Sequence, residues 1–153
     1  SMGTVQMGGT GCLCPENALL RSLVTHLLLR RDEVLILDME AGVELLGRGT
    51  ARAVDAFVVV VEPGRRSLQT AHTIYGLAQD LGIERVHVVG NKIASASDEA
   101  FIAEQLPEFD VLGFLPSDRL AIEADRTGQA VFSIAPQLVE RARAIASRLE
   151  GTK

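Results

Sequence analysis

Lysine is almost missing from this sequence: Lys92 and Lys153 are the only ones in 153 residues. Arginine supplies the other cations, yet Lys plus Arg reaches 15 against 20 Asp plus Glu, a formal net charge of −5. That balance provides no basic face for a phosphate backbone, so nucleic acid is not an expected partner. Long apolar runs are missing too. Leu27 to Leu29, Val34 to Leu37 and Phe57 to Val61 fall far short of the ~20 residues a membrane span needs. The opening Ser1-Met2-Gly3-Thr4 has neither the basic start nor the apolar stretch of a secretory signal. Ser1 reads as the scar of a cleaved tag, and the cytoplasm is the expected compartment. Cysteine is scarce, with 2 in the chain, and thiols stay reduced in that compartment, so no structural disulfide is expected.

What is present is ordinary globular usage, 47% apolar and 23% charged, in a length that suits one domain with a real core. Short β-branched runs alternate with helical spacing. Val34 to Leu37, Phe57 to Val61, Val86 to Val89 and Val111 to Leu115 read as strands. Their continuous apolar character, without alternation, predicts burial on both faces and hence a parallel sheet. Helices are expected from Pro15 to Arg31, from Ser67 as N-cap to about Leu81, and from Ser97 or Asp98 to Leu106. Two more are expected over 119–127 and from Pro136 to Leu149. The segment 44–55 is a short helix or a loop. The fold class is α/β.

In open parallel sheets, ligands bind beyond the carboxyl ends of the strands. Those positions hold Asp38, Glu62, Asn91 with Lys92, and Pro116 with Asp118. Each residue type also starts turns for its own reasons, but four such ends together point to a site. His26, His72 and His87 are scattered and read as packed or solvated side chains. Arg65-Arg66 reads as a solvated pair. The sharpest local feature is Gly11-Cys12-Leu13-Cys14-Pro15. Cysteines at i and i+2 are poorly placed to bond to each other. They are either two inert buried thiols or half of a thiolate metal site. Two sulfurs fall short of the four ligands zinc prefers, and a second copy of the chain across a two-fold axis would supply the others.

Around that segment, Cys12 to Leu20 resembles the CooC-like accessory ATPases of carbon monoxide dehydrogenase maturation. So do Asp38-Met39-Glu40-Ala41-Gly42-Val43-Glu44, Gly47-Arg48-Gly49-Thr50, Val60-Val61-Glu62-Pro63, Val89-Gly90-Asn91-Lys92 and Leu115-Pro116-Ser117-Asp118. These ATPases belong to the deviant Walker (MinD/ParA-type) P-loop superfamily. The resemblance runs from about Met2 to Gly128. It implies a three-layer P-loop NTPase-like domain with a mostly parallel sheet. It also implies catalytic roles for Asp38, near Mg²⁺ and the attacking water, and for Gly42, near the γ-phosphate. Asn91, Lys92, Pro116 and Asp118 would bind the adenine side of ATP. Cys12 and Cys14 would bind nickel or zinc between two protomers, within a metal-binding segment 2–15.

One departure is large. Such ATPases hold phosphate with a Gly-rich loop ending in Gly-Lys-Ser/Thr, and no Gly-Lys pair occurs in this sequence. Gly8-Gly9-Thr10-Gly11 is glycine-rich but carries no lysine. The expectation is therefore a single incomplete domain over 1–153, lacking the first strand and phosphate loop. The function expected is a metal-binding module resembling the C-terminal part of a nickel-insertion ATPase, homodimeric through its Cys-x-Cys site. Carbon monoxide dehydrogenase would be its client. The alternatives are an ATPase completed by another chain and a non-enzymatic scaffold.

Overall fold

In the computed structural model, which describes residues 34–38 and 54–151, the three later apolar runs become strands. They are β1 (Phe57–Val61), β2 (Val86–Ile93) and β3 (Asp110–Pro116), all parallel, in the order β1-β2-β3. The helices are α1 (Arg65–Asp80), α2 (Ala96–Gln105), α3 (Arg119–Thr127), the short α4 (Val131–Ile134) and α5 (Pro136–Gly151). The chain separates into two compact units, Ser1–Ala53 and Val54–Lys153, and all of these elements belong to the second.

Local chemistry explains most of the helix ends. Gly82, at φ +76°, stops α1 in the left-handed region that glycine enters without a Cβ penalty. The N–H groups of Gly82 and Ile83 then close onto Gln79 O (3.0 Å) and Ala78 O (2.9 Å). α1 starts earlier than expected, at Arg65, with Gly64 as the cap residue. Ser67 is not the cap. Its Oγ instead accepts the N–H of Glu62 at 3.0 Å, so the hydroxyl fastens the turn leaving β1. α2 starts at Ala96, ahead of the expected Ser97 or Asp98. Asp98 lies inside its first turn, where Oδ2 accepts the N–H of Ala94 at 2.8 Å and of Ser95 at 3.0 Å, a carboxylate where the helix dipole favours one. α3 runs from 119 to 127 as expected. Pro136 opens α5 at a position where its missing N–H costs nothing.

The two faces of the sheet carry different helices. In the β2–β3 register Gly90 pairs with Phe114 and Val89 with Gly113, so Gly90 and Gly113 face opposite sides. A Cβ on Gly90 would meet Phe114 and Ile102 of α2, whereas one on Gly113 would meet Ile145 of α5 at 2.8 Å. α1 and α2 thus cover one face and α5 the other. Val61, Val88, Ile102 and Leu106 are the largest fully buried side chains, each contributing about 1.5–3 kcal/mol through burial. On the α5 face a polar group is set into the sheet. Buried His87 donates from Nδ1 to Asp110 Oδ2 at 3.0 Å, and Asp110 Oδ1 accepts from Arg148 of α5 at 3.3 Å.

Two expectations about burial need correction. β2 is buried on both faces from Val86 to Gly90, but β1 alternates: Phe57, Val59 and Val61 are buried, while Val58 and Val60 are 42% and 59% exposed. β1 is an outer strand of the three, so β-branched composition did not bring two-sided cover. Val34 to Leu37, expected as a strand, are irregular, with Val34 68% and Ile36 84% exposed. A β-branched run becomes a strand only where a partner completes its ladder. The helix expected over Pro15–Arg31 and residues 44–53 lie outside the described residues; 54–56 are irregular.

The close approach at Gly90 yields a stability prediction. Gly90→Ala places a methyl group inside the contact distance of the Phe114 ring and against Ile102. Overpacking of this kind costs about 1–3 kcal/mol. Urea unfolding should show a lower midpoint with an unchanged denaturant slope. A midpoint equal to that of the parent chain would show that Phe114 moves aside without cost.

Candidate functional site

Because β1, β2 and β3 are parallel, their carboxyl ends share one edge, where open α/β sheets place ligands. Glu62 follows β1. Asn91 and Lys92 lie within the last residues of β2, which continues to Ile93 rather than ending at Val89. Pro116 is the last residue of β3, and Ser117 and Asp118 follow it. The fold therefore brings Asn91, Lys92, Pro116 and Asp118 to one edge.

The edge has a built irregularity. Val61 pairs with Gly90, so Asn91 and Lys92 run past the end of β1. On the other side Gly90 pairs with Phe114 and Ile93 with Pro116. β2 thus spends one more residue than β3 over this stretch, a β-bulge. Lys92 absorbs it at φ +57° and is the only non-glycine residue with positive φ among the described residues. Past the bulge, Ser117 N–H donates to Ile93 O at 2.8 Å, which ties the loop after β3 back to β2.

Charge accompanies the bulge. Lys92 Nζ lies 2.6 Å from Glu62 Oε1. Both side chains are more than half exposed, and a solvated pair contributes about 0–1 kcal/mol. A left-handed conformation at a lysine costs on the order of 1–3 kcal/mol, so the pair does not offset the strain by itself. The packing of β2 and the Ser117–Ile93 bond impose the conformation, and the pair aims the side chain.

Asp118 has a structural task as well. Its Oδ1 accepts the N–H of Leu120 at 2.8 Å, capping α3. The bond uses Oδ1 alone, which leaves Oδ2 able to accept a second donor. Asn91, half-buried at the edge, offers an amide with both a donor and an acceptor, the pairing a base edge requires. Pro116, exposed, pairs with Ile93 at the end of β2. These groups offer hydrogen-bond donors and acceptors along one edge of the sheet.

Asp38 is exposed and belongs to the first unit. Gly42, Cys12 and Cys14 lie outside the described residues. Among the described residues no group of three or more His, Cys, Asp or Glu is placed to hold a metal, and no helix is long and apolar enough to cross a membrane. Sequence reasoning placed Glu62 at a strand end but missed its partnership with Lys92. The available signal was the paired polar residues directly after two neighbouring apolar runs.

Comparison with known proteins agrees with this architecture. No protein-family model matches the chain. It is 47% identical over 148 residues to the carbon monoxide dehydrogenase accessory protein CooC of Rhodospirillum rubrum, covering 97% of this chain and 56% of that one. It is 46% identical over 133 residues to an uncharacterised ATP-binding protein of Methanocaldococcus jannaschii, covering 85% of this chain and 51% of that protein. The chain thus spans about half the length of the curated relatives it matches. Among solved structures, a chain of the MinC:MinD cell division protein complex of Aquifex aeolicus superposes with a TM-score of 0.58 at 19% identity. That match covers 74% of this chain and 48% of the other, and it shows the fold: P-loop NTPase-like.

The cap at α3 gives Asp118 a structural role that can be tested by itself. Asp118→Ala should destabilise the chain by about 1 kcal/mol, whereas Asp118→Asn, which still caps, should stay within a few tenths of the parent. Chemical denaturation of both variants checks this; equal losses would mean that the carboxylate charge, not the cap, stabilises the start of α3.

Proposed function

We propose that this chain, CooC-like in sequence and P-loop NTPase-like in fold, is an accessory module of carbon monoxide dehydrogenase maturation. In this reading a thiolate site at Cys12 and Cys14 takes nickel or zinc, and the sheet edge at Asn91, Lys92, Pro116 and Asp118 receives the adenine of ATP. The observation that carries it is 47% identity to CooC extending over 97% of the chain. Cys12 and Cys14 supply two soft ligands, which suit zinc or nickel better than magnesium. Two copies supply four. Metal binding then joins protomers, and because each thiol must lose its proton to ligate, binding strengthens as pH rises.

A second reading is favoured by the gathering of Asn91, Lys92, Pro116 and Asp118 on one edge: an ATPase whose phosphate-gripping loop comes from another chain. Asp38 and Gly42 are then the catalytic pair, Asp38 holding Mg²⁺ waters. The two readings share the adenine edge and differ in whether turnover occurs.

Native mass spectrometry with zinc and then nickel tests the metal site. One ion per two chains is expected, lost in the Cys12→Ser/Cys14→Ser double variant and reversed by chelator. One ion on a monomer, or none, would remove the metallochaperone reading; a dimer unchanged in the double variant would mean that sheet or helices make the interface.

ATP turnover by the isolated 153-residue chain should not exceed that of buffer, because no Gly-Lys-Ser/Thr loop is present to hold the triphosphate. A phosphate-release assay checks this. Steady turnover abolished by Asp38→Ala would overturn it.

A further inference from the structure

We infer that Glu62 is a positioning residue for base recognition, aiming the Lys92 side chain across the strand ends beside Asn91 on a bulge that the backbone already fixes; this rests on the adenine-edge reading above. Lys92 is left-handed at φ +57°, a conformation that asparagine or aspartate tolerates better than lysine. Strain of this sort collects at functional sites, where the surroundings over-determine it. The surroundings are on the page. Ser117 N–H holds Ile93 O on one side of the bulge at 2.8 Å, Gly90 is packed against Phe114 on the other, and the side chain of Lys92 is caught by Glu62 at 2.6 Å.

Glu62 is itself held. Its N–H donates to Ser67 Oγ at 3.0 Å, and its carbonyl accepts from Gly64 N–H at 2.7 Å. The carboxylate therefore stands on a fixed turn between β1 and α1, and not on a free loop. The chain of contacts runs from α1 through Ser67 to Glu62, across the strand ends to Lys92, and along one peptide bond to Asn91. Released from Glu62, the long Lys92 side chain regains its rotamers and its ammonium is free to stand over the edge. Held, it reaches from β2 across to Glu62 at the end of β1.

An NMR titration of the full 153-residue chain with adenosine, which needs no phosphate loop, tests this. In the parent chain the Asn91 side-chain amide should shift saturably. Glu62→Gln should weaken adenosine binding roughly fivefold, the scale of one lost charge pair, with no change in thermal midpoint. Lys92→Met should weaken it similarly, and adding Glu62→Gln to Lys92→Met should cause no further loss, because Glu62 acts only through Lys92. Glu62→Asp, which keeps the charge, should recover part of the affinity. Unchanged affinity in Glu62→Gln would overturn the proposal while leaving the adenine edge standing. Additive losses in the double variant would also overturn it, since Glu62 would then act by its own contact. Absence of any Asn91 shift in the parent chain would remove the adenine edge and the proposal together.

Discussion

The second unit is arranged about β2, which is laddered on both sides and covered on both faces from Val86 to Gly90. A strand in that position can carry almost no polar side chain without a partner, because desolvation of an unpaired group costs more than a hydrogen bond returns. Its one buried polar residue, His87, meets that cost in part: Nδ1 is bonded to Asp110 of β3, which also binds Arg148 of α5, while Nε2 is buried without a hydrogen-bond partner. At the other end Gly90 lets Phe114 and Ile102 close over the backbone, and Asn91 is the next residue. The boundary between core and candidate site is therefore a single peptide unit wide. A change in packing at Gly90 reaches the amide of Asn91 with nothing in between.

The bulge follows from the same constraint. β2 must keep its ladder with β3 as far as Ile93 and Pro116, yet its partner β1 ends opposite Gly90. Beyond that point one edge of β2 is unpaired by β1 while the other is still bound. An extra residue is absorbed where only one ladder remains, and Lys92 takes the unusual backbone angle. A polar edge with a fixed irregularity is a better platform for recognition than a flexible loop, because the geometry exists before a ligand arrives.

How far the sequence announced this depends on the length scale of each interaction. β1, β2 and β3 were legible because Val-rich runs bounded by turn residues fit few other structures. Val34 to Leu37 has the same composition and is irregular, since its state depends on a partner that local sequence does not name. Ser67 looked like a cap because serine prefers caps. The turn Glu62-Pro63-Gly64 fixed the helix start instead and left the hydroxyl to bind Glu62 N–H. The strand-end residues of the candidate site were legible from topology alone. The Glu62–Lys92 pair was not, because it depends on the register that sets Val61 beside Gly90, and register is a tertiary property. Cys12 and Cys14 were legible as chemistry, two soft ligands on a short spacer, and that is what the proposal uses.

In the proposed reading, residues of this edge serve structure and recognition at once, and that sharing sets how the edge can vary. Asp118 caps α3 through Oδ1, so a substitution there that abolishes binding by removing the cap would say nothing about the base. Asparagine keeps the cap and exchanges one carboxylate oxygen for an amide, which makes it the informative change. Glu62 and Lys92 differ in kind. Their pair is solvated and contributes little to stability, so selection for folding acts weakly on it. The cap ties the loop after β3 to the fold, and the ion pair is the part of the edge free to be tuned without unfolding it.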